Sequence, residues 1–223
     1  MSFAFAKPAF DIGLATNDLE AHRSFWGDTV GLPYDHLAKL GGGFHQHRWR
    51  QGDSIIKVNH TRMPLPDTPA GGYQSLTLGV GNASTALVAP NGVPVRLRPD
   101  AETDLTLHAV SNDLDGFARF YGDLLGLEPD GPFVFRLGRS RILATQGRVP
   151  RIDGWREKGL RYMTVQIFDC DRVTAALEQR GVELGHPPRT VGPVRYSFVR
   201  DPDGNWIELS ERASLTGRPV PER

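Results

Sequence analysis

The sequence predicts an α+β protein built from repeated strand-helix-strand units, and three observations lead there. First, the sixteen positions from Asn17 to Leu32 return ninety-five residues later, from Asn112 to Leu127, with eight identities and no gap. Chance rarely gives such a match, so the chain is internally duplicated. Second, each copy follows an alternating run. Ile12 and Leu14 share one face opposite Asp11, Gly13 and Ala15, and Leu105, Leu107 and Ala109 share one face opposite Thr106 and His108. Period-two alternation is the mark of a strand with one buried face. Third, hairpin-like pairs lie between the helices: 44–50 with 54–59, 133–137 with 141–145, and 194–199 with 206–209. The turn Asp201-Pro202-Asp203-Gly204 supplies the residues that close the last of them.

Each element has a local reason. Asp18 and Asp113 stand where a short carboxylate caps a helix, and Gly31 and Gly126 stand where it ends. Between them Leu19, Phe25 and Trp26, and in the second copy Leu114, Phe117, Phe120 and Tyr121, form the apolar stripe. A fainter echo follows each copy. Residues 76–80 lead into an expected helix around 84–89, and residues 163–167 lead into one over 171–179. The chain therefore reads as four modules paired in chain order, 8–99 and 103–213, within domains 1–100 and 101–215 and a tail over 216–223. The second module is truncated, because no hairpin follows Val95.

Composition narrows the function. Of 223 residues, 39% are hydrophobic and 23% charged, which excludes disorder as the dominant state. Twenty-six basic side chains balance twenty-six acidic ones, so the cationic excess needed for nucleic acid or an anionic membrane is missing. The lone Cys170 can form neither an intrachain disulfide nor a thiolate zinc cluster, which fits a reducing cytoplasm. No run of eighteen apolar residues occurs, and Met1-Ser2-Phe3-Ala4 lacks the charged start of a signal peptide. A soluble cytoplasmic protein is expected. Gly79-Val80-Gly81-Asn82-Ala83-Ser84 lacks the third glycine of a dinucleotide fingerprint and reads as a tight turn, so no nucleotide cofactor is expected. No His-Glu-x-x-His or Gly-x-Ser-x-Gly supports a hydrolase.

Two segments carry a family resemblance: Phe120-Tyr121-Gly122-Asp123-Leu124-Leu125-Gly126-Leu127 after Asp113-Leu114, and Asp201-Pro202-Asp203-Gly204-Asn205-Trp206-Ile207-Glu208-Leu209. With these the chain resembles the vicinal oxygen chelate superfamily of glyoxalase I, the bleomycin-resistance proteins and the type I extradiol dioxygenases. The resemblance implies tandem βαβββ modules paired into two cup-shaped half-barrel sheets with helices outside. It implies a small oxygen-rich organic substrate and lyase, isomerase or dioxygenase chemistry through an enolate-like or chelated intermediate. A metal-free, non-catalytic binder of the bleomycin-resistance kind is the alternative. In metal-binding members the ligands lie seven residues before the helix-capping Asp and in the middle of each module's last strand. Here the first rule gives Asp11, Ser75, Thr106 and Tyr162, and the second gives Lys57, Leu143 and Glu208. None is a histidine, and only Glu208 matches outright.

The expected site lies in the C-terminal cup. Glu208 is assigned as metal ligand or general base, His108 as its partner ligand or acid-base group, and Tyr162 as proton donor to a developing oxyanion. Trp206, Tyr196 and Thr106 are expected to bind substrate. One divalent ion, iron, manganese, nickel or zinc, would be held by His108, Gln146 and Glu208. An alternative ion site joins His45, His47 and His60, with Asp11 from the neighbouring strand. Without metal, Glu208 and His108 are expected to bond each other or Tyr162. The segments 149–155 and 187–189 are expected to rim this cup as loops. The sheet edge left by the truncated module suggests a homodimer.

Overall fold

The computed structural model describes residues 3–99 and 102–222, so the boundary expected between Asp100 and Ala101 lies outside the described residues. The strands are β1 (Phe5–Thr16), β2 (Tyr34–Gly41), β3 (Phe44–Gln51), β4 (Ser54–His60), β5 (Tyr73–Leu78), β6 (Thr85–Val88), β7 (Pro94–Leu97), β8 (Leu105–Ser111), β9 (Glu128–Gly131), β10 (Val134–Leu137), β11 (Ser140–Gln146), β12 (Gly159–Ile167), β13 (Glu183–Val191), β14 (Val194–Arg200) and β15 (Trp206–Arg212). The helices are α1 (Leu19–Arg23), α2 (Leu114–Ala118), α3 (Cys170–Glu178) and α4 (Ala213–Thr216).

The caps expected at Asp18 and Asp113 form, and Asp169 makes a third at α3. The Asp18, Asp113 and Asp169 side chains accept from the amides of Ala21, Gly116 and Arg172 at 3.0, 2.9 and 3.0 Å. Each satisfies an amide that the first turn leaves without a partner, worth about 1 kcal/mol. In both repeats the α-helix then widens into a π-turn, over Ser24–Thr29 and Arg119–Leu124. The five-residue bonds Val30 N to Phe25 O and Leu125 N to Phe120 O mark it, so the duplication extends to backbone irregularity. The expected helix around 84–89 is absent. Residues 85–88 form β6 instead and pair with β7, because this short module has no long apolar stripe to bury as a helix.

The strands form two sheets of mixed direction with few helices, an α+β architecture. One is eight-stranded, β13-β14-β15-β12-β1-β4-β3-β2, and the other seven-stranded, β6-β7-β5-β8-β11-β10-β9. This corrects the pairing expected in chain order. The first module joins the fourth, through antiparallel β1 and β12, and the second joins the third, through antiparallel β5 and β8. Burial accounts for the choice. Residues 9–16 of β1 and every residue of β12 are buried on both faces, whereas the shorter β5 and β8 are partly exposed. Two long strands that must both lie at a sheet centre find that place only beside each other.

One apolar cluster spans both sheets, with Phe10, Ile12 and Leu14 of β1, Met163 and Val165 of β12, Leu105 and Leu107 of β8, and Trp26 and Phe120 of the π-turns. A buried hydroxyl chain ties the sheets together. Tyr73 of β5 meets Tyr121 at 2.8 Å, Tyr121 donates to Asp201 at 2.9 Å, and Asp201 also accepts from the Asn205 backbone and side-chain amides.

Burial raises Asp201 to about 6, against the lowering hydrogen bonds from Asn205 and Tyr121. His22, buried between Trp26 and Asn91, is lowered to about 4, chiefly by burial. The raised carboxyl contributes stability that is full below 3.8 and lost as pH rises through about 6. The lowered imidazole contributes stability that is present above 6.5 and lost as pH falls through about 4. The two oppose each other across this window. Urea unfolding of Asp201→Asn should therefore show stability falling toward acid more steeply than in the wild type, and equal slopes would refute a raised Asp201.

Candidate functional site

The inner face of the eight-stranded sheet is set by strand parity. Because Ile12, Leu14, Ile56, Val58, Met163, Val165, Ile207 and Leu209 turn to the core, Asp11 and Gly13 of β1, Lys57 and Asn59 of β4, Tyr162 and Thr164 of β12 and Glu208 of β15 turn the other way. Register brings them together. Gly13 lies opposite both Lys57 and Tyr162, Asp11 opposite Thr164, and Thr164 opposite Glu208. Gly13 is glycine for a steric reason, since a Cβ there would lie 2.1 Å from the Tyr162 ring.

At the centre is the Lys57 ammonium, 1% exposed. It donates to Glu208 Oε2 at 2.9 Å and to Thr164 Oγ1 at 2.7 Å, and lies 3.6 Å from Asp11 Oδ2 and 5.8 Å from the Tyr162 ring centre. Thr164 also donates to Glu208 Oε2, at 2.6 Å. Asp11 in turn accepts from Lys7 at 2.5 Å and from the Ile55 amide at 3.0 Å. Burial pushes both carboxyls upward, but Lys57 at Glu208, and Lys7 with Lys57 at Asp11, outweigh it and hold both below their ordinary values. Both are ionised at neutral pH. Burial pushes the Lys57 ammonium down, against the two carboxylates.

Above this floor opens a cavity of about 320 Å³, in the size range of small-molecule sites. Lys57, Glu208, Arg212, Gln46 and Tyr162 line its polar part, and Trp155, Tyr196 and Phe198 its aromatic wall. Trp155 stacks on Phe198 with centroids 4.8 Å apart, and the Arg156 guanidinium lies 4.4 Å from the Trp155 ring centre. The Tyr162 hydroxyl accepts from Asn59 at 2.9 Å and Gln46 at 3.4 Å, and burial, with Glu208 nearby, pushes its pKa far above the usual tyrosine value. It stays protonated and keeps its own hydrogen to give.

Of the residues singled out from the sequence, Glu208, Tyr162 and Tyr196 meet in this cavity. Trp206 shares their face but packs deeper, against Phe198 and under the Arg200 guanidinium, and does not line it. Thr106 and His108 belong to the other sheet. There they line a separate hollow with Arg98, Asp130 and Arg141, and His108 bonds Thr77 at 2.9 Å. Gln146 bonds the Ser111 and Asn112 carbonyls, holding the end of β8. The set of His108, Gln146 and Glu208 therefore does not assemble, because the third and fourth modules lie in different sheets. Nor do Glu208 and His108 bond each other. His45 and His60 are cross-strand neighbours, and His47 bonds the Tyr34 hydroxyl at 3.1 Å, but Asp11 points to the opposite face. Among the described residues no three His, Cys, Asp or Glu side chains come together as a metal site. The donor set does not fit a divalent ion, since an ammonium stands between the two carboxylates. Of the segment 149–155 Trp155 lines this cavity, whereas residues 187–189 lie within β13 rather than in a loop.

Lys57, Arg212 and Gln46, which line the cavity, and Asn59, which holds the Tyr162 hydroxyl, were not singled out from the sequence as candidate site residues. The signal was present: Lys57 occupies the last-strand position equivalent to Glu208, and Arg212 is four residues beyond Glu208 on the same face of β15. Replacing one member of a buried ion pair leaves its partner unpaired, at about 3–5 kcal/mol. Lys57→Met should lower unfolding free energy by about that much, with Lys57→Met/Glu208→Gln less destabilised than Lys57→Met alone. Additive losses in the double-mutant cycle would mean that the pair is not coupled.

Residues 105–209 match the family model described as Glyoxalase/Bleomycin resistance protein/Dioxygenase superfamily. No curated protein matches the chain at the sequence level. Among solved structures, glyoxalase I from Zea mays superposes with a TM-score of 0.70 at 12% identity, covering 94% of this chain and 92% of that one. A putative dioxygenase from Bacillus subtilis gives 0.65 at 12% identity, covering 94% and 86%. The cppA protein from Streptococcus pneumoniae gives 0.61 at 8% identity, covering 94% and 100%. At such identities these likenesses speak to the fold, and the matched segment holds one module of each sheet. Residues 105–209 thus resemble the Glyoxalase/Bleomycin resistance protein/Dioxygenase superfamily, and over 94% of its length the chain shares the fold of glyoxalase I from Zea mays.

Proposed function

We propose that the cup of the eight-stranded sheet is the active site of a lyase- or isomerase-type enzyme that moves a proton on a small, oxygen-rich organic substrate. One observation carries this reading. Glu208 is ionised at the cavity floor with both of its hydrogen bonds on Oε2, which leaves Oε1 as a fixed basic oxygen. With substrate bound, Oε1 takes the proton from a carbon next to a carbonyl. The electron pair of that C–H bond moves into the carbonyl, and the negative charge appears on its oxygen. The Tyr162 hydroxyl, held by Asn59 and Gln46, donates a hydrogen bond to that oxyanion. Where the deprotonated carbon carries a hydroxyl, delivery of the proton by Glu208 to the former carbonyl carbon, as the hydroxyl proton passes to the enolate oxygen, completes an isomerisation. Loss of a leaving group from the carbon next to the deprotonated one completes a lyase reaction. The aromatic wall of Trp155, Tyr196 and Phe198 restricts water and stacks on a planar substrate. Ring-cleaving dioxygenation would need a redox metal, and Lys57 stands where its ligands would converge.

The test is hydrogen exchange in deuterated water, followed by NMR over a panel of 2-oxo and 2-hydroxy carboxylic acids. At least one should exchange its α-hydrogen, and Glu208→Gln should slow that exchange by about 10²- to 10⁴-fold, the usual worth of a positioned base. A ligand bound with unchanged affinity by wild type and Glu208→Gln, and exchanged by neither, would instead make the protein a binder.

The same site predicts a pH profile. Glu208, held below the ordinary 4.5, keeps its acceptor form as pH falls toward that value. Lys57 loses its charge at a pH below the ordinary 10.5. Affinity for an anionic ligand should therefore fall on an alkaline limb centred below 10.5, and a limb at or above that value would contradict the assignment.

A further inference from the structure

We infer that the Lys57 ammonium, backed by the Arg212 and Arg48 guanidiniums, serves this cup as its built-in cation, making it a metal-independent site for a carboxylate or enolate bearing two neighbouring oxygens. The inference rests on the proposed site and names the substrate class it takes.

Position is the first argument. The four places in this sheet where the family resemblance puts metal ligands are Asp11, Lys57, Tyr162 and Glu208, and they do converge. Instead of all four surrounding an ion, the other three surround Nζ of Lys57, at 3.6 Å from Asp11, 2.9 Å from Glu208 and 5.8 Å from the Tyr162 ring centre. A positive charge thus occupies the centre of the ring without a bound ion.

Charge balance is the second argument. Lys7, Arg48, Lys57 and Arg212 bring four cations to the floor, against two buried carboxylates, Asp11 and Glu208. Asp35 lies 3.6 Å from Arg48 but is half-exposed and shared with Arg50 and His36. The Nε of Arg212 is buried without a hydrogen-bond partner, whereas that of Arg48, a residue only 6% exposed, faces the Asp35 carboxylate at 3.6 Å. A buried guanidinium donor left without an acceptor is costly, and a ligand oxygen near it removes that cost. Arg212 lines the cavity directly, and Arg48 acts from behind by holding Gln46 Oε1 at 3.0 Å. A planar anion with two adjacent oxygens can meet both the Arg212 fork and the Lys57 ammonium.

The probe is oxalate, measured by titration calorimetry on the full chain after treatment with a chelator. Oxalate should bind the chelated wild type, with an affinity unchanged by added Mn²⁺. Lys57→Met and Arg212→Gln, each checked for a folded circular-dichroism spectrum, should weaken it at least tenfold. Lys57→Glu should lose oxalate and gain stoichiometric Mn²⁺ binding, because a third carboxylate then joins Asp11 and Glu208. Because Arg212 lies outside the buried ion pair, Arg212→Gln keeps the test meaningful if the Lys57 variants do not fold. Oxalate binding that needs added metal, no oxalate binding at all, or Mn²⁺ bound to the wild type and lost in Lys57→Met would each overturn the inference. Metal-free oxalate binding without substrate exchange would sink the proposed proton transfer alone. Exchange that persists unchanged in Lys57→Met and Arg212→Gln would sink this inference alone.

Discussion

The antiparallel contact between β1 and β12 is the constraint on which the functional cup depends. It joins strands that begin more than 150 residues apart and places them side by side at the centre of the eight-stranded sheet. From that line the parallel pairings of β4 on β1 and β15 on β12 follow, and with them the meeting of Lys57 and Glu208. A slip of β12 by one residue against β1 would turn Tyr162 and Thr164 toward the core and Met163 and Val165 toward the cavity. Burial on both faces of both strands makes such a slip prohibitively costly. The register of the site is therefore enforced by hydrophobic burial that has nothing to do with its chemistry.

The polar floor is expensive to keep. A lysine and two carboxylates with little access to water gain attraction from one another but lose hydration, and a well-packed apolar set of similar volume is often as stable or more so. Their retention here makes sense if the charges are used. Thr164, the Ile55 amide and Lys7 take up most of the hydrogen-bonding capacity that Asp11, Lys57 and Glu208 would otherwise leave open. What stays open is Glu208 Oε1 and the Arg212 Nε, on two residues that both line the cavity.

Much of the architecture was legible in the sequence because it is written locally. The caps at Asp18, Asp113 and Asp169, the alternation of Ile12 with Asp11 and Gly13, and the turn at Asp201-Pro202-Asp203-Gly204 each depend on a few neighbouring residues. Glu208 and Tyr162 were legible through the family resemblance and Tyr196 through its strand beside Glu208, and the three do share the cavity. Which module pairs with which is a non-local choice, and chain order gave the wrong neighbours. That one misassignment explains why His108, Thr106 and Gln146 were expected beside Glu208, and why Lys57 was passed over as a mere departure from a ligand pattern. The segment 85–88 failed for another reason: four residues with weak periodicity can become strand or helix, and the neighbouring β7 decided.

The two halves of the cup also differ from each other in a way that matters. Lys57 and Glu208 occupy equivalent places, each on the last strand of its module and beside that module's first strand. In a cup assembled from two copies of one module related by a twofold axis, equivalent places carry the same residue, so a lysine would face a lysine or a carboxylate a carboxylate. Opposite charges at symmetric positions become available only when the two modules are different stretches of one polypeptide, free to vary independently. Joining the modules covalently thus did more than enlarge the protein: it permitted a site whose two sides are chemically unlike, one acid and one base.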